Sequence, residues 1–429
     1  MNRIGVATVL LLAGPVFAQP QTYFAPIAAR TPASSPVGAT AMQTALWLPD
    51  PGVDAGLSLL FGTGGGTSVP FLLGNQAPAS LSGFPPQVDA VAAAPGVRVG
   101  SRSVTLLAVS SGGAVTFGTV ESGVFVPKVP LSPIPAGTQI ALSAVPGGGA
   151  ALLTSDGFRI TRWDLDLSSG NVVATRGLDI PASPGGVGAT DESSSITFDG
   201  VSNEGYVGGR VVGDLYRFDA HLDAGPPRVF DPALASQGRL APPVSGLAVY
   251  SGQSARYLLA ANGQGITVYD LTRATPPATA FRVIPEDALG QITSPAGVAV
   301  TNLPAGAALP GGVIAVGDRT HTDLALVRWD LLAGQVDGGL VVDTTTDPRG
   351  PGGGGPDAGC PDGGTPLSDG GCPAPGPGPG GGPVPGAGPT GPGIPVDHST
   401  SCTSAGGGPA LLALLASLGL LLPGRRQRR

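Results

Sequence analysis

Few side chains in this sequence could do chemistry, and their spacing excludes most of it. The three histidines, His221, His321 and His398, have no His or Cys neighbour at metal-ligand spacing, so each reads as a loop histidine. Asp164-Leu165-Asp166-Leu167-Ser168 begins like a calcium loop but lacks the glycine at the sixth position and the distal glutamate, and a turn after a strand accounts for it. Gly62-Thr63-Gly64-Gly65-Gly66 is not followed by the Gly-Lys-Ser/Thr of a phosphate-cradling loop, so it too is a turn. No Gly-x-Ser-x-Gly nucleophile elbow occurs. The three cysteines all follow residue 350, which leaves the body without an internal disulfide. Cys360 and Cys372 flank PDGGTPLSDGG; outside the cytoplasm they could close a small loop disulfide, with unpaired thiols as the alternative.

The elements that must position these residues are short strands. Ser245 to Ile284 is the clearest unit, with expected strands at Leu247–Tyr250, Arg256–Ala260, Gly265–Asp270 and Ala280–Ile284 separated by Gly, Asn, Gln, Ser and Pro. One such four-stranded sheet cannot bury both faces alone, so copies must stack. Its pattern recurs at a spacing of about fifty residues, the length of a four-stranded propeller blade. Unit starts align at TALWLPD from Thr44, QVDAVAAA from Gln87, QIALSAV from Gln139, SITFDGV from Ser195, SGLAVY from Ser245 and AGVAVTN from Ala296. Several units share an aromatic-Asp pair in the third strand, at Trp163, Phe218, Tyr269 and Trp329; the aromatic packs between units and the Asp caps the next turn. No amphipathic pattern of helical period runs through the body, which disfavours a doubly wound α/β fold. The expected fold is all-β: a six-bladed β-propeller over residues 41–347, followed by a disordered Gly/Pro linker and a C-terminal hydrophobic sorting helix.

Composition fits this. The chain has 429 residues with 71 Gly, 46 Pro and only 12% charged residues, and propellers run long as single domains. A formal net charge of −7 argues against nucleic acid as a partner, since phosphate binding needs clustered Lys and Arg. Residues 1–18 read as a secretory signal: Arg3, an apolar run Ile4–Leu12, and the small-residue end Val16-Phe17-Ala18, with cleavage after Ala18. Residues 19–40 form an N-terminal segment. Residues 348–400 form a linker in which Gly350–Pro395, almost wholly Gly, Pro, Asp and Ala, has nothing to bury and much entropy to lose, so a disordered or polyproline-biased spacer is expected.

The last block, residues 401–429, places Cys402 before an apolar stretch Pro409–Leu422 and the cluster Arg425, Arg426, Arg428 and Arg429. This order resembles the myxobacterial C-terminal sorting signal known as MYXO-CTERM. The arginines resist crossing a bilayer, so the tail stays cytoplasmic while export carries the body outward. The resemblance implies a sorting protease acting near Cys402 and display at the cell surface, with a lipid on that cysteine as one form of attachment. A plain tail anchor is the alternative, and either gives a membrane-tethered exported protein.

Taken together, ALWLPDP at Ala45, QVDAV at Gln87, DLYRFDAHLDAG from Asp214, SGLAVYSGQSARYLLAANGQGITVYDL from Ser245 and AGVAVTN…GGVIAVGD from Ala296 to Asp318 resemble the β-propeller phytases. That resemblance implies a six-bladed, Ca²⁺-dependent phosphomonoesterase with a bed of carboxylates at one mouth of its channel. The bed is largely missing here. The family's Asp-Asp-Pro reads Met42-Gln43-Thr44, its Arg falls at Val91, its Lys-rich turn reads Gly62-Thr63-Gly64-Gly65, its Thr-Glu-Gly falls near Ser193-Ser194-Ser195, and further acids read Ser245, Ala296 and Ala299. Asp89, Asp199 and Asp318 are retained as calcium candidates; a shift of a few residues in the fourth unit would add Asp191, Glu192 and Glu204. Three carboxylates cannot satisfy several Ca²⁺ ions that each take about six to eight oxygens. The expectation is therefore a monomeric, surface-displayed binding or interaction module for an unidentified surface or small-molecule ligand. A divergent calcium-dependent phosphoesterase and a structural envelope protein are the alternatives.

Overall fold

The computed structural model describes residues 20–31, 43–49, 57–64, 67–68, 70–100, 102–128, 134–180, 193–233, 238–252, 254–273, 280–336, 340–343 and 347. Ala18, the spacer, Cys360, Cys372, Cys402, the terminal arginines, Asp191 and Glu192 lie outside them. Among the described residues no helix is long and apolar enough to cross a membrane.

The protein is all-β with a propeller-like arrangement, and its one described helix is the five-residue Trp329–Ala333. Strands follow each other as antiparallel hairpins because the turns between them are short and rich in glycine. Ser111 pairs with Ala114 across Gly112-Gly113, whose φ angles of +58° and +87° suit a two-residue hairpin turn open to glycine and to few other residues. Four sheets have four or five strands each. The simplest are Gln139–Ala144, Ala150–Ser155, Arg159–Asp166 and Asn171–Asp179, then Ser193–Asp199, Glu204–Gly209, Leu215–Asp219 and Arg228–Asp231. The other two open with Gln43–Trp47 and Ala90–Val99.

The remaining strands join into a single nine-stranded sheet through the first strand of the body. Thr22–Arg30 runs parallel to Phe281–Asp287, from Thr22 opposite Arg282 to Pro26 opposite Glu286. Its second half runs antiparallel to Asp323–Arg328, ending at Arg30 opposite Ala325. Thr22–Arg30, within the N-terminal segment 19–40, is thus a strand of the nine-stranded sheet. On one side of it lie Gly246–Ser251, Arg256–Asn262, Gly265–Asp270 and Phe281–Asp287; on the other lie Asp323–Arg328, Val313–Asp318 and Pro295–Thr301. Trp329-Asp330 does not end a strand as Phe218-Asp219 and Tyr269-Asp270 do: it opens the short helix.

Middle strands such as Ala150–Ser155 and Val313–Asp318 are buried along their whole length. Each sheet packs on a neighbour at both faces, so these strands read as continuous apolar runs rather than alternating ones. Apolar clusters form between successive sheets, for example Trp47, Leu59 and Phe61 with Val91, Leu107 and Phe125. A final cluster brings Leu46, Leu60 and Phe71 together with Ala296, Val313 and Leu326, so the last sheet packs on the first. The opening strands Gln43–Trp47, Ala90–Val99, Gln139–Ala144, Ser193–Asp199, Gly246–Ser251 and Pro295–Thr301 neighbour one another in that order, and the last also neighbours the first.

Candidate functional site

The opening strands enclose a cavity of about 780 Å³. Its wall is mostly small and apolar, including Ala45, Ala92, Ala141, Ile196, Ala248 and Val300. The strands run in one sense around it, because their starts meet and their ends meet. At the starts, Gln139 Nε2 donates to the Ser193 carbonyl at 3.0 Å, Ser195 Oγ donates to the Val244 carbonyl at 2.9 Å, and Ser245 Oγ donates to the Pro295 carbonyl. At the ends, the Gly200 N–H donates to Ser143 Oγ at 2.9 Å. Ser194, Ser195 and Ser245, which stand where the resemblance calls for acidic motifs, are therefore stitches between neighbouring opening strands. Their hydroxyls are spent on backbone carbonyls.

Asp199 closes its opening strand and lies at the cavity's other rim. Its Oδ2 sits 3.0 Å from Arg256 Nη2, and its Oδ1 accepts from the Val201 N–H at 2.9 Å. Arg256 Nη2 also reaches Ser202 Oγ at 2.6 Å and Glu204 Oε2 at 3.2 Å, and Glu204 pairs in turn with Arg217. This rim carries two acids and two bases that neutralise each other.

Asp318 lies at the opposite end, since it pairs with Pro295 at the start of an opening strand. Its side chain is 3% exposed and is met by Arg30 Nη1 at 2.7 Å and by His321 Nδ1 at 2.7 Å. The same Arg30 nitrogen reaches Asp323 Oδ1 at 3.0 Å, and Arg30 Nε reaches Asp287 Oδ2 at 2.6 Å. Burial pulls the Asp318 carboxyl up, but hydrogen bonds from Arg30, His321 and the Thr320 and His321 amides outweigh it and hold it below its ordinary value. Asp287 is held down chiefly by its hydrogen bonds from Arg30. Asp323 is pushed up, first by burial and also by the Asp318 charge, against the pull of Arg30. His321 lies in a turn, as expected of a loop histidine, and is the imidazole partner of Asp318. Asp89 precedes Ala90–Val99, has an exposed side chain, and donates its N–H to the Ser110 carbonyl at 2.9 Å. The structure does not bring the three retained aspartates together: Asp199 is at one end of the opening strands, and Asp89 and Asp318 are at the other, on different sheets. Among the described residues no group of three or more His, Cys, Asp or Glu side chains is placed to hold a metal ion.

Two features are not evident in the sequence. Arg30 is 288 positions from Asp318, and only the apolar pattern of Thr22–Arg30 hints at a strand there. The second is a strap, Leu340–Asp343, laid across the last sheet beside the Asp199 rim. Tyr257 Oη accepts from the Val341 N–H at 3.0 Å, Tyr250 Oη accepts from the Asp343 N–H at 2.9 Å, and Asn302 Nδ2 donates to the Asp343 carbonyl at 2.7 Å. Trp329 stacks on Tyr250 with ring centres 4.8 Å apart and donates Nε1 to the Val341 carbonyl at 3.3 Å. Burial pushes the Tyr250 hydroxyl up to about 12. Four residues further on, Asp347 lines the cavity.

No protein-family model matches the chain, and no curated protein sequence matches it. Solved structures with a similar course include the hydrazine synthase of Kuenenia stuttgartiensis, at 10% identity and TM-score 0.40 over 69% of this chain and 96% of that one. U3-55K matches at 12% identity and TM-score 0.37 over 65% of this chain and 75% of its own, and BBS1N, in complex with ARL6DN, at 11% and 0.37 over 62% and 74%.

Proposed function

We propose that this protein is a six-bladed, phytase-like propeller, exported and held at the cell surface by its C-terminal segment, that works as a binding module rather than a phosphoesterase. In this reading Thr22–Arg30 supplies the outer strand of the last blade, so the ring closes by joining the two ends of the body. Export rests on the Met1–Ala18 pattern, and attachment rests on Cys402, the apolar stretch and the terminal arginines. The observation that carries the binding reading is the engagement of two of the three retained acids, Asp318 and Asp199, by the chain's own arginines. Arg30 already supplies the positive charge at Asp318, and Arg256 supplies it at Asp199. A calcium ion at either place would have to displace a guanidinium held by short, partly buried hydrogen bonds. Phosphate ester cleavage also needs free cationic groups to neutralise the substrate, and the basic positions that the resemblance calls for are Val91 and Gly62–Gly65.

Phosphate release from phytate by the purified chain, with millimolar Ca²⁺ against EDTA, tests this. The expected result is no calcium-dependent release and no calcium-induced rise in melting temperature. Calcium-dependent release that Asp318→Ala abolishes would overturn the binding reading in favour of a divergent phosphoesterase.

A further inference from the structure

We infer that the central cavity is a binding site for a neutral, predominantly apolar small molecule, and that it discriminates against polyanions. The inference rests on the binding-module reading and names its ligand class. The cavity's volume, about 780 Å³, falls in the range that encloses a drug-sized ligand, and its wall is more apolar than polar, with small aliphatic side chains interspersed with uncharged polar ones such as Gln43, Thr197 and Asn302. The charges decide the class. Among the described residues only three charged ones line the cavity: Asp199, Arg256 and Asp347. Arg256 Nη2 is committed to Asp199, Ser202 and Glu204 within 3.2 Å, and Asp347 has a partner of its own. No guanidinium on this wall is left for a ligand anion. Bringing an anion inside would mean burying a charge with no counter-ion, which costs far more than burying a neutral group.

The hydroxyls point the same way. Ser194, Ser195 and Ser245 are bound to backbone carbonyls at the start of the next opening strand. Thr44 is on the wall as well, but its Oγ1 is shut off from the cavity space and offers a ligand no hydrogen bond.

The probe is N-phenyl-1-naphthylamine, a neutral apolar fluorophore with a single N–H, titrated into the full chain. Expected are saturable binding at one site per chain, a rise in melting temperature at saturation because the probe binds the folded state, and no displacement by millimolar phytate. Ala93→Phe and Ala248→Phe, on two different opening strands and both on the cavity wall, should each weaken binding by about tenfold or more while melting cooperatively. The inference is overturned by absence of saturable binding, by displacement with phytate, or by unchanged affinity in either variant that still melts cooperatively. If neither variant folds, the wild-type chain decides: a probe that lowers its melting temperature or leaves it unchanged overturns the site. Phosphate release from phytate would sink the binding-module reading itself, whereas failure of the probe without phosphate release sinks only the ligand class.

Discussion

Replacing Arg30 by Met should unfold the body far more easily at neutral pH than in mild acid. Arg30 stands between Asp287, Asp318 and Asp323, at 2.6, 2.7 and 3.0 Å. The Asp318 and Asp323 side chains are 3% and 6% exposed, so water cannot replace the lost cation there, whereas Asp287, at 22%, is partly rehydrated. Removing one partner of a buried ion pair costs about 3–5 kcal/mol. For a body of this size, at about 2 °C per kcal/mol, that is a fall of roughly 6–10 °C in melting temperature. The sign of the pH dependence follows from the three carboxyls. In the parent, Asp287 and Asp318 are depressed, so the stability they contribute is present above the ordinary carboxylate value and lost as pH falls through their folded values. Asp323 is raised, so its contribution is present at low pH and lost as pH rises through its folded value. Without Arg30, Asp323 rises further and Asp318 loses the largest of the hydrogen bonds that oppose its burial, so it moves up against only His321 and the Thr320 and His321 amides. Protonating both removes the penalty, and the deficit should shrink to less than about half between pH 7 and pH 4.5. Urea or thermal unfolding of parent and variant at the two pH values measures it. Arg30→Met combined with Asp318→Asn and Asp323→Asn should regain most of the loss at pH 7. A deficit below about 1 kcal/mol at pH 7, or one of equal size at both pH values, would refute the assignment of Arg30 as the buried counter-ion.

Two further perturbations test the strap and the close approach of neighbouring opening strands. Tyr250→Phe removes the acceptor of the Asp343 amide but leaves Tyr257 on the Val341 amide. It should cost about 1 kcal/mol and speed hydrogen exchange at Asp343 selectively; equal acceleration at both amides would mean that the strap is not held residue by residue. At Gly246 an added Cβ would stand 2.6 Å from both Gly297 Cα and Val298 N, backbone atoms that cannot swing aside. Gly246→Ala should therefore destabilise the body by about 1–3 kcal/mol in urea unfolding, and a variant within about 0.5 kcal/mol of the parent would show that the two opening strands separate freely.

Most of the strand pattern is legible in the amino-acid sequence. The strands expected in Ser245–Ile284 fall within or beside the observed Gly246–Ser251, Arg256–Asn262, Gly265–Asp270 and Phe281–Asp287. They are legible because each is a short apolar run ended by turn residues, a local signal. The Asp270 turn behaves as expected, with its Oδ1 accepting the Thr272 N–H at 3.0 Å. The corresponding expectation for Asp164 does not hold: its carboxylate faces Arg162 Nε at 2.6 Å, and Asp166 caps the turn instead by accepting the Ser168 N–H at 2.9 Å. The extra residues of that strand past the aromatic move the turn two positions on. Trp329 has the sequence context of a strand aromatic, but its indole is bound to the strap carbonyl of Val341 and stacked on Tyr250, contacts that local periodicity does not encode.

The charged groups are the least legible, and for a physical reason. An aspartate in a sequence carries the same letter whether it is exposed like Asp89, paired with an arginine of the adjacent sheet like Asp199, or enclosed with one from the N-terminal strand like Asp318. What separates them is the origin of the counter-charge. At Asp318 it arrives on Thr22–Arg30, the strand that lies between Phe281–Asp287 and Asp323–Arg328 and ends on the very residue that meets all three acids. Pairing of that strand and neutralisation of the cluster are therefore a single event. Until the strand docks, Asp318 and Asp323 are repelling neighbours at the end of one hairpin, where the two residues face each other across the ladder. Once it docks, the ladder hydrogen bonds and the ion pairs form together, and neither can be lost without weakening the other.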